Sequence, residues 1–381
     1  MSERSAPGPA IIDWLALVAA PGVGPRIVVR LLARFGEAAA VRRAPAETLE
    51  QLGLGDQAID ALRSPDRVGI DRALAWSEQP QADILTLSDP RYPRLLKEIP
   101  DPPPVLYVRG DPLVLSEPQI AIVGSRNPTP QGALITRELA SQLAAWGLVV
   151  TSGLAVGVDG AAHQGALMGG RTVAVLGTGP DQVYPACHRD LARQIPAQGA
   201  LVSEYPPGEG PRARNFPRRN RLISGLSLGV LVTEAAPQSG SLITARHALE
   251  QGREVLAVPG SVRNPLARGC HALIREGARL AEDAEQVLAE LAPMLRGVIA
   301  APPVSEIESA PGAIEMQSTA RAGLDPDYRR LLDTMGYDPI AIDDLVRTTG
   351  LTVQSLSSML LVLELEGHVS SAPGGRYCRV R

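Results

Sequence analysis

The chain has 381 residues, which at about 100 to 200 residues per domain suggests two or three domains with sizeable cores. Its 37 basic and 41 acidic residues leave a net charge of −4, which excludes a polycationic nucleic-acid coat and makes any anion site local. Lys97 is the single lysine and no glycine precedes it, so a Walker A loop is excluded and a Schiff-base lysine has no suitable strand end.

Residues 1–80 are expected to form a small helical domain. WLALVAA, the turn PGVGP and RIVVRLLARFG read as helix, tight turn and helix, with a second glycine break at Leu52–Gly55. The order resembles a helix-hairpin-helix or SAM-like unit, whose turn is open to two readings: a DNA phosphate contact or a plain helical turn. The apolar stretch Ile11 to Val23 is interrupted by Asp13 and closed by PGVGP, unlike a signal segment, and no run nears the roughly 18 apolar residues of a membrane span. Cys187, Cys270 and Cys378 lie far apart without a CxxC, which fits a reducing compartment, so a cytoplasmic location is expected.

From residue 81 to about 297 strands alternate with helices. DILTLSD and PVLYVRG flank the proline-rich DPPP; QIAIVGS, LVVTSG, RTVAVLGTG, ALVSEY, LGVLVTEA and EVLAVPG follow, with helical patterns between them. Near-continuous Val, Leu and Ile runs of this kind predict an α/β domain, a Rossmann-like, doubly wound parallel sheet with ligands at the carboxyl ends of its strands. Residues 298–323, rich in Pro, Ala, Ser and Glu without periodicity, read as a linker. Residues 324–381 give helix, helix, helix and two short strands around Pro-Gly-Gly, the order of a winged helix.

Gly124, Ser125 and Arg126 end the strand QIAIVGS and precede a helix. Free amides, the helix dipole and a guanidinium fork would favour a phosphate there. The second and third glycines of the dinucleotide fingerprint are absent, which disfavours NAD, and no cofactor is expected. In SGLAVGVDGAAH, Asp159 and His163 are four residues apart, on one helix face; they read either as an acid-base pair or as a buried aspartate bonded to loop amides. GTGPDQVYP offers Asp181 and Tyr184 in a turn without a nucleophile. Arg212, Arg214, Arg218, Arg219 and Arg221 fall within ten residues that hold no acid, and Phe216 and Tyr205 nearby could stack a base, a mixture that suits a single-strand groove. Ser239, Gly240 and Ser241 open a helix at another strand end and suggest a second anion cradle. The adjacent pairs Cys187–His188 and Cys270–His271 lack zinc-site spacing and read as structural, and GxSxG is missing at every strand end.

Seven ordered motifs, GSR, SGLAVGVDGAAH, GTGPDQVYP, SEYPPG, FPRRNRLISGLS, SGSLITA and AVPG, together resemble the DprA/Smf family over residues 83–295. That resemblance implies a non-catalytic protein that binds single-stranded DNA, protects incoming strands and helps load the RecA recombinase in natural transformation (competence) and DNA recombination. It implies a homodimer, and it places DNA contacts on Gly124, Ser125, Arg126, Arg219, Asn220 and Arg221. The expected interface also takes in Ser152, Gly153, Phe216, Arg218, Ser239, Gly240 and Ser241. Replacing Arg126 and Arg219 together by alanine is expected to abolish most single-strand affinity with the fold intact. Val156 and Ala186 stand where relatives often carry lysine, which predicts fewer phosphate contacts unless Arg189, Arg212 or Arg214 compensates.

The rival reading is a Rossmann-like nucleotide-processing enzyme of the phosphoribohydrolase type, with Asp159 or Glu234 as its carboxylate; the arginine cluster and two accessory modules weigh against it. A winged-helix regulator would need a basic recognition helix. Thr352 to Glu366 has no basic residue and Asp325 to Arg381 carries a net charge of 6 − 8 = −2, which favours a partner over duplex DNA.

Overall fold

The computed structural model describes residues 9–299 and, beyond them, 328, 331, 332, 335, 340–349, 351–365, 368–372 and 376–379. The chain divides into two compact units, one of residues 1–128 with 135–300 and the other of residues 129–134 with 301–381. Residues 300–323 of the expected linker lie outside the described residues.

In the first unit, the helices Pro9–Ala19 and Pro25–Phe35 meet at a turn in which Gly22 takes a φ of +78° and Pro25 opens the second helix. Four more helices follow, ending with Arg67–Ser77, whose N-cap Asp66 accepts the Val68 amide at 3.1 Å. Their apolar faces join the sheet: buried Trp14, Leu31, Leu62 and Trp76 belong to the same core cluster as Tyr107, Val123 and Val202. The Trp76 ring meets Tyr107 edge to face at 5.8 Å.

Nine strands build the sheet: β1 (Ala82–Thr86), β2 (Val105–Gly110), β3 (Gln119–Val123), β4 (Val149–Ser152), β5 (Thr172–Val175), β6 (Ala200–Ser203), β7 (Gly229–Val232), β8 (Glu254–Ala257) and β9 (Arg279–Leu280). Their order is β1-β2-β6-β5-β4-β3-β7-β8-β9. From β3 to β9 every pairing is parallel, with fully buried runs such as QIAIV and GVLV, as expected of strands covered on both faces. The leading pair differs: β1 pairs β2 and β2 pairs β6 antiparallel. Gly110, at φ +119°, ends β2 where a Cβ would lie 2.2 Å from the Gly199 carbonyl. The short β9, two exposed residues without an apolar pattern, is not foreseeable from the sequence.

Chain direction fixes where a ligand can sit. The path runs from β3 outward through β4, β5 and β6, then returns to β7 on the other side of β3, so the order switches between β3 and β7. Loops after these two strands diverge and leave a crevice at their carboxyl ends. Among the described residues, no helix is long and apolar enough to cross a membrane.

The second unit has the helices Ile342–Thr349 and Val353–Leu365 and a three-stranded antiparallel sheet of Ile340–Ala341, Arg376–Arg379 and Val369–Ala372, in that order. Leu331, Leu345, Leu356, Leu360, Leu363 and Val369 form its core. Residues 373–375 and Arg381 lie outside the described residues. Arg376 is exposed, whereas Arg379 donates to the Leu332 carbonyl at 3.1 Å.

Candidate functional site

A cleft of about 850 Å³ opens at the switch point, between the loop after β3 and the loop after β7, with the helix Asn215–Leu226 along one wall. Gly124, Ser125, Arg126 and Asn127 line it from β3, Phe216, Arg219 and Asn220 from that helix, and Ser239, Gly240 and Ser241 from the turn before the helix Ser241–Glu250. Asn220 Nδ2 donates to the Gly240 carbonyl at 3.3 Å and so ties two of these walls together.

Glycines give this cleft its shape. A Cβ on Gly124 would lie 2.7 Å from both the Glu234 carbonyl and the Val158 side chain. Gly157, at φ +83°, lets the loop after β4 pass within 2.4 Å, from its would-be Cβ, of the Ser125 carbonyl. Gly153 and Gly177 make room for side chains: Cβ atoms there would lie 2.6 Å from the Arg219 guanidinium and 2.8 Å from the Phe216 ring. The glycine-rich motifs of the sequence therefore seat the residues of another motif.

Several of the amides expected to cradle an anion are engaged by the protein itself. Ser125 N donates to the Glu234 carbonyl at 2.6 Å and Asn127 N to Ser125 Oγ at 3.1 Å. In the second turn, Ser241 N donates to Ser239 Oγ at 3.3 Å, and Leu242 N and Ile243 N donate to the carbonyls of Ser239 and Gly240 at 3.1 and 3.2 Å. This corrects the expectation of free amides at Ser125, Ser239 and Ser241. What faces the cleft is side-chain chemistry: the exposed Arg126 guanidinium, the amides of Asn127 and Gln238, and the Ser239 and Ser241 hydroxyls, 2.7 Å apart.

The arginine cluster separates into different uses. Arg219 is 4% exposed, and its Nη1 donates to the carbonyls of Gly153, at 2.6 Å, and Val175. Burial lowers its pKa to about 10, so it stays cationic at neutral pH. Arg221, equally buried, pairs with Glu204 and, at 3.2 Å, with Asp101, and it does not line the cleft. Arg218 lies 3.9 Å from Glu204, and Arg212 pairs with Glu209 at 2.8 Å. The segment free of acids thus meets three acids in space, and burial removes Arg219 and Arg221 from the expected basic patch, while Arg212, Arg214 and Arg218 stay exposed. Because Arg219 is an internal hydrogen-bond donor, the Arg126 and Arg219 double replacement is expected to lower stability as well as affinity.

Ser152 is fully buried, its Oγ donating to the Ile122 carbonyl at 2.6 Å, and Gly153 serves the cleft through its carbonyl contact to Arg219. Phe216 is joined by Tyr184, not by Tyr205: the Tyr184 and Phe216 rings are 5.4 Å apart at 47°, and both line the cleft. Tyr205 donates its hydroxyl to the Asn215 carbonyl at 3.3 Å instead. Asn127 and Gln238 were not singled out in the sequence; their signal was adjacency to the two serine-bearing turns.

Asp159 and His163 share a helix without pairing. Asp159 Oδ2 accepts the amides of Gly153 and Ala155 at 3.1 and 3.3 Å, the loop-bonded reading. Burial raises its pKa, with the Arg219 charge opposing. His163 Nδ1 is 2.7 Å from Thr172 Oγ1, and burial lowers its pKa to about 3, so it is neutral at pH 7. Glu234 Oε1 accepts from Asn264 Nδ2 at 3.1 Å. Among the described residues, no group of three or more His, Cys, Asp or Glu is arranged to hold a metal. His188 Nδ1 lies 2.9 Å from the Leu154 carbonyl and Cys270 is buried, in keeping with structural roles.

The family described as DNA recombination-mediator protein A matches residues 83–292, and its winged-helix domain matches residues 316–375. Protein Smf of Synechocystis sp. is 38% identical over 96% of this chain and 98% of its own length. The X-ray structure of DNA processing protein A from Streptococcus pneumoniae superposes with a TM-score of 0.66 at 37% identity, covering 73% of this chain and 97% of that one. The Helicobacter pylori DNA processing protein A, described for its single-stranded DNA binding mode, gives a TM-score of 0.51 at 30% identity over 57% of this chain and 97% of that one.

Proposed function

The chain belongs to the DNA recombination-mediator protein A family, and from that premise we propose that its switch-point cleft binds single-stranded DNA without sequence preference. The observation that carries this reading is the conjunction of an exposed guanidinium, Arg126, with the Tyr184–Phe216 ring pair in one open cleft. A cation suits a phosphate and an aromatic face suits any base, the two requirements of sequence-tolerant single-strand binding. Asn127, Asn220, Gln238, Ser239 and Ser241 add neutral hydrogen-bonding groups around it.

In this reading the bound strand is protected and presented to RecA by a cytoplasmic homodimer, and the protein is not an enzyme. The internal engagement of Asp159 by two amides, the neutral, buried state of His163 and the Glu234–Asn264 hydrogen bond support a binding role over nucleotide hydrolysis. The second unit is assigned to a protein partner, since its helix Val353–Leu365 has no basic residue.

Fluorescence anisotropy of a labelled oligo-dT and of its duplex, each at two salt concentrations, tests the proposal. Tight, salt-sensitive binding that prefers the single strand is expected. Absence of binding would move the assignment to the nucleotide-processing alternative.

A further inference from the structure

Behind the loop that carries Tyr184 lies a second concavity, of about 490 Å³. Residues 180–183 of the same loop line it, so neighbouring residues serve the two sites: Val183 lines one hollow and Tyr184 the other. Three cations line it: Arg109 at the end of β2, and Arg189 and Arg193 on the helix Arg189–Gln194.

These arginines are available in a way that Arg219 and Arg221 are not. Arg189 is exposed, and its side chain forms no hydrogen bond or ion pair among the described residues. Arg109 donates to the neutral Gln79 side chain at 2.6 Å. Arg193 holds Asp190 at 2.9 Å in an exposed pair of the weak kind that a phosphate can displace. Asp181 also lines the hollow, and its carboxylate is turned to the Gly208 amide, at 2.9 and 3.1 Å to its two oxygens, so three cations face one lining acid. No aromatic side chain lines the hollow; Pro180, Pro196 and Leu201 supply its apolar surface. The chemistry therefore suits a sugar-phosphate backbone and offers no stacking platform for bases.

We infer that this hollow is a second phosphate subsite, which takes the backbone of a single strand leaving the cleft across Tyr184. The inference rests on the single-strand reading of the cleft. Of the three arginines that could make up for the absence of lysine at Val156 and Ala186, Arg189 lines this hollow, and Arg212 and Arg214 do not.

The test compares the full chain with its Arg189→Ala/Arg193→Ala variant, using labelled oligo-dT of about 6 and about 25 nucleotides, lengths chosen to fill the cleft alone or to run past it. For the long strand, Kd should rise roughly tenfold and the slope of log K against log salt should shrink by about 1.4, two lost contacts at about 0.7 each. The short strand should bind both proteins equally, and Arg189→Lys/Arg193→Lys should recover most of the long-strand affinity. Long-strand binding unchanged in the alanine variant, or both lengths weakened alike, would overturn the subsite. Failure of the wild-type chain to bind either length would overturn the single-strand reading itself.

Discussion

Arg126, at the end of β3, stands exposed at the cleft, whereas Arg219, in the helix Asn215–Leu226, is 4% exposed and gives its guanidinium to two carbonyl oxygens. Both occur in short polar motifs beside glycine-rich turns, and both read from sequence as phosphate ligands. The difference lies in what surrounds them. Gly153 and Val175 sit at the ends of adjacent parallel strands, where the ladder leaves acceptors inside the protein that water cannot reach. A planar guanidinium with several donors can serve two such carbonyls at once, and Gly153 has no side chain to block it. Arg219 thus laces β4 and β5 to the cleft wall, and Arg126 is left for the ligand.

Removing the buried arginine should have the largest effect. Arg219→Ala leaves two carbonyls unpaired and Asp159 without its nearby positive charge, and should cost about 3 kcal/mol or more of stability, measured by urea unfolding. Arg219→Lys should recover little, since one ammonium cannot reproduce the fork. Native stability in Arg219→Ala would erase the distinction between the two arginines.

The same buried region should impose a pH dependence. His163 has a folded pKa of about 3 against an ordinary value of 6.5, so between these values the unfolded chain binds the proton and the folded protein does not. Stability should therefore be complete above pH 6.5 and fall as the pH drops toward 3, by up to about 1.4 kcal/mol per pH unit. Unfolding curves for the wild type and His163→Gln between these limits isolate the contribution. A difference between the two that does not vary with pH would remove His163 as its source.

On the exposed side, Arg126→Ala should leave stability within about 0.5 kcal/mol of wild type. Its oligo-dT affinity should drop roughly tenfold, with a salt slope smaller by about 0.7, one phosphate contact. Smallest of all, Arg212→Ala should shift affinity by less than about twofold, because Arg212 lines neither the cleft nor the second hollow. A larger loss there than at Arg126 would invert the division of labour read from burial.

Much of the architecture was legible in the chain. Continuous apolar runs such as QIAIV and GVLV need cover on both faces, so the parallel sheet followed from them, and ordered motifs led to the family. The antiparallel placement of β1 and β2 was not legible, since strand direction depends on which edge the chain reaches, and β9 pairs through backbone alone. Within the cleft, the turns after β3 and β7 were correctly placed at strand ends. Tyr184 as the ring beside Phe216 was not legible, because it lies 32 positions away in the chain while Tyr205 lies 11, and only packing brings Tyr184 to the ring.

Sequence by itself determined the layers, the family and the set of glycines and arginines from which the cleft is made. Only the tertiary structure decided which arginines remain available to a ligand. Charge runs are counted along the chain, but electrostatic neutralisation and hydrogen-bond satisfaction act through space. Glu204 and Asp101 reach Arg221, and the carbonyls of Gly153 and Val175 reach Arg219, across 17 to 120 positions, as the separations 221 − 204 and 221 − 101 bound them.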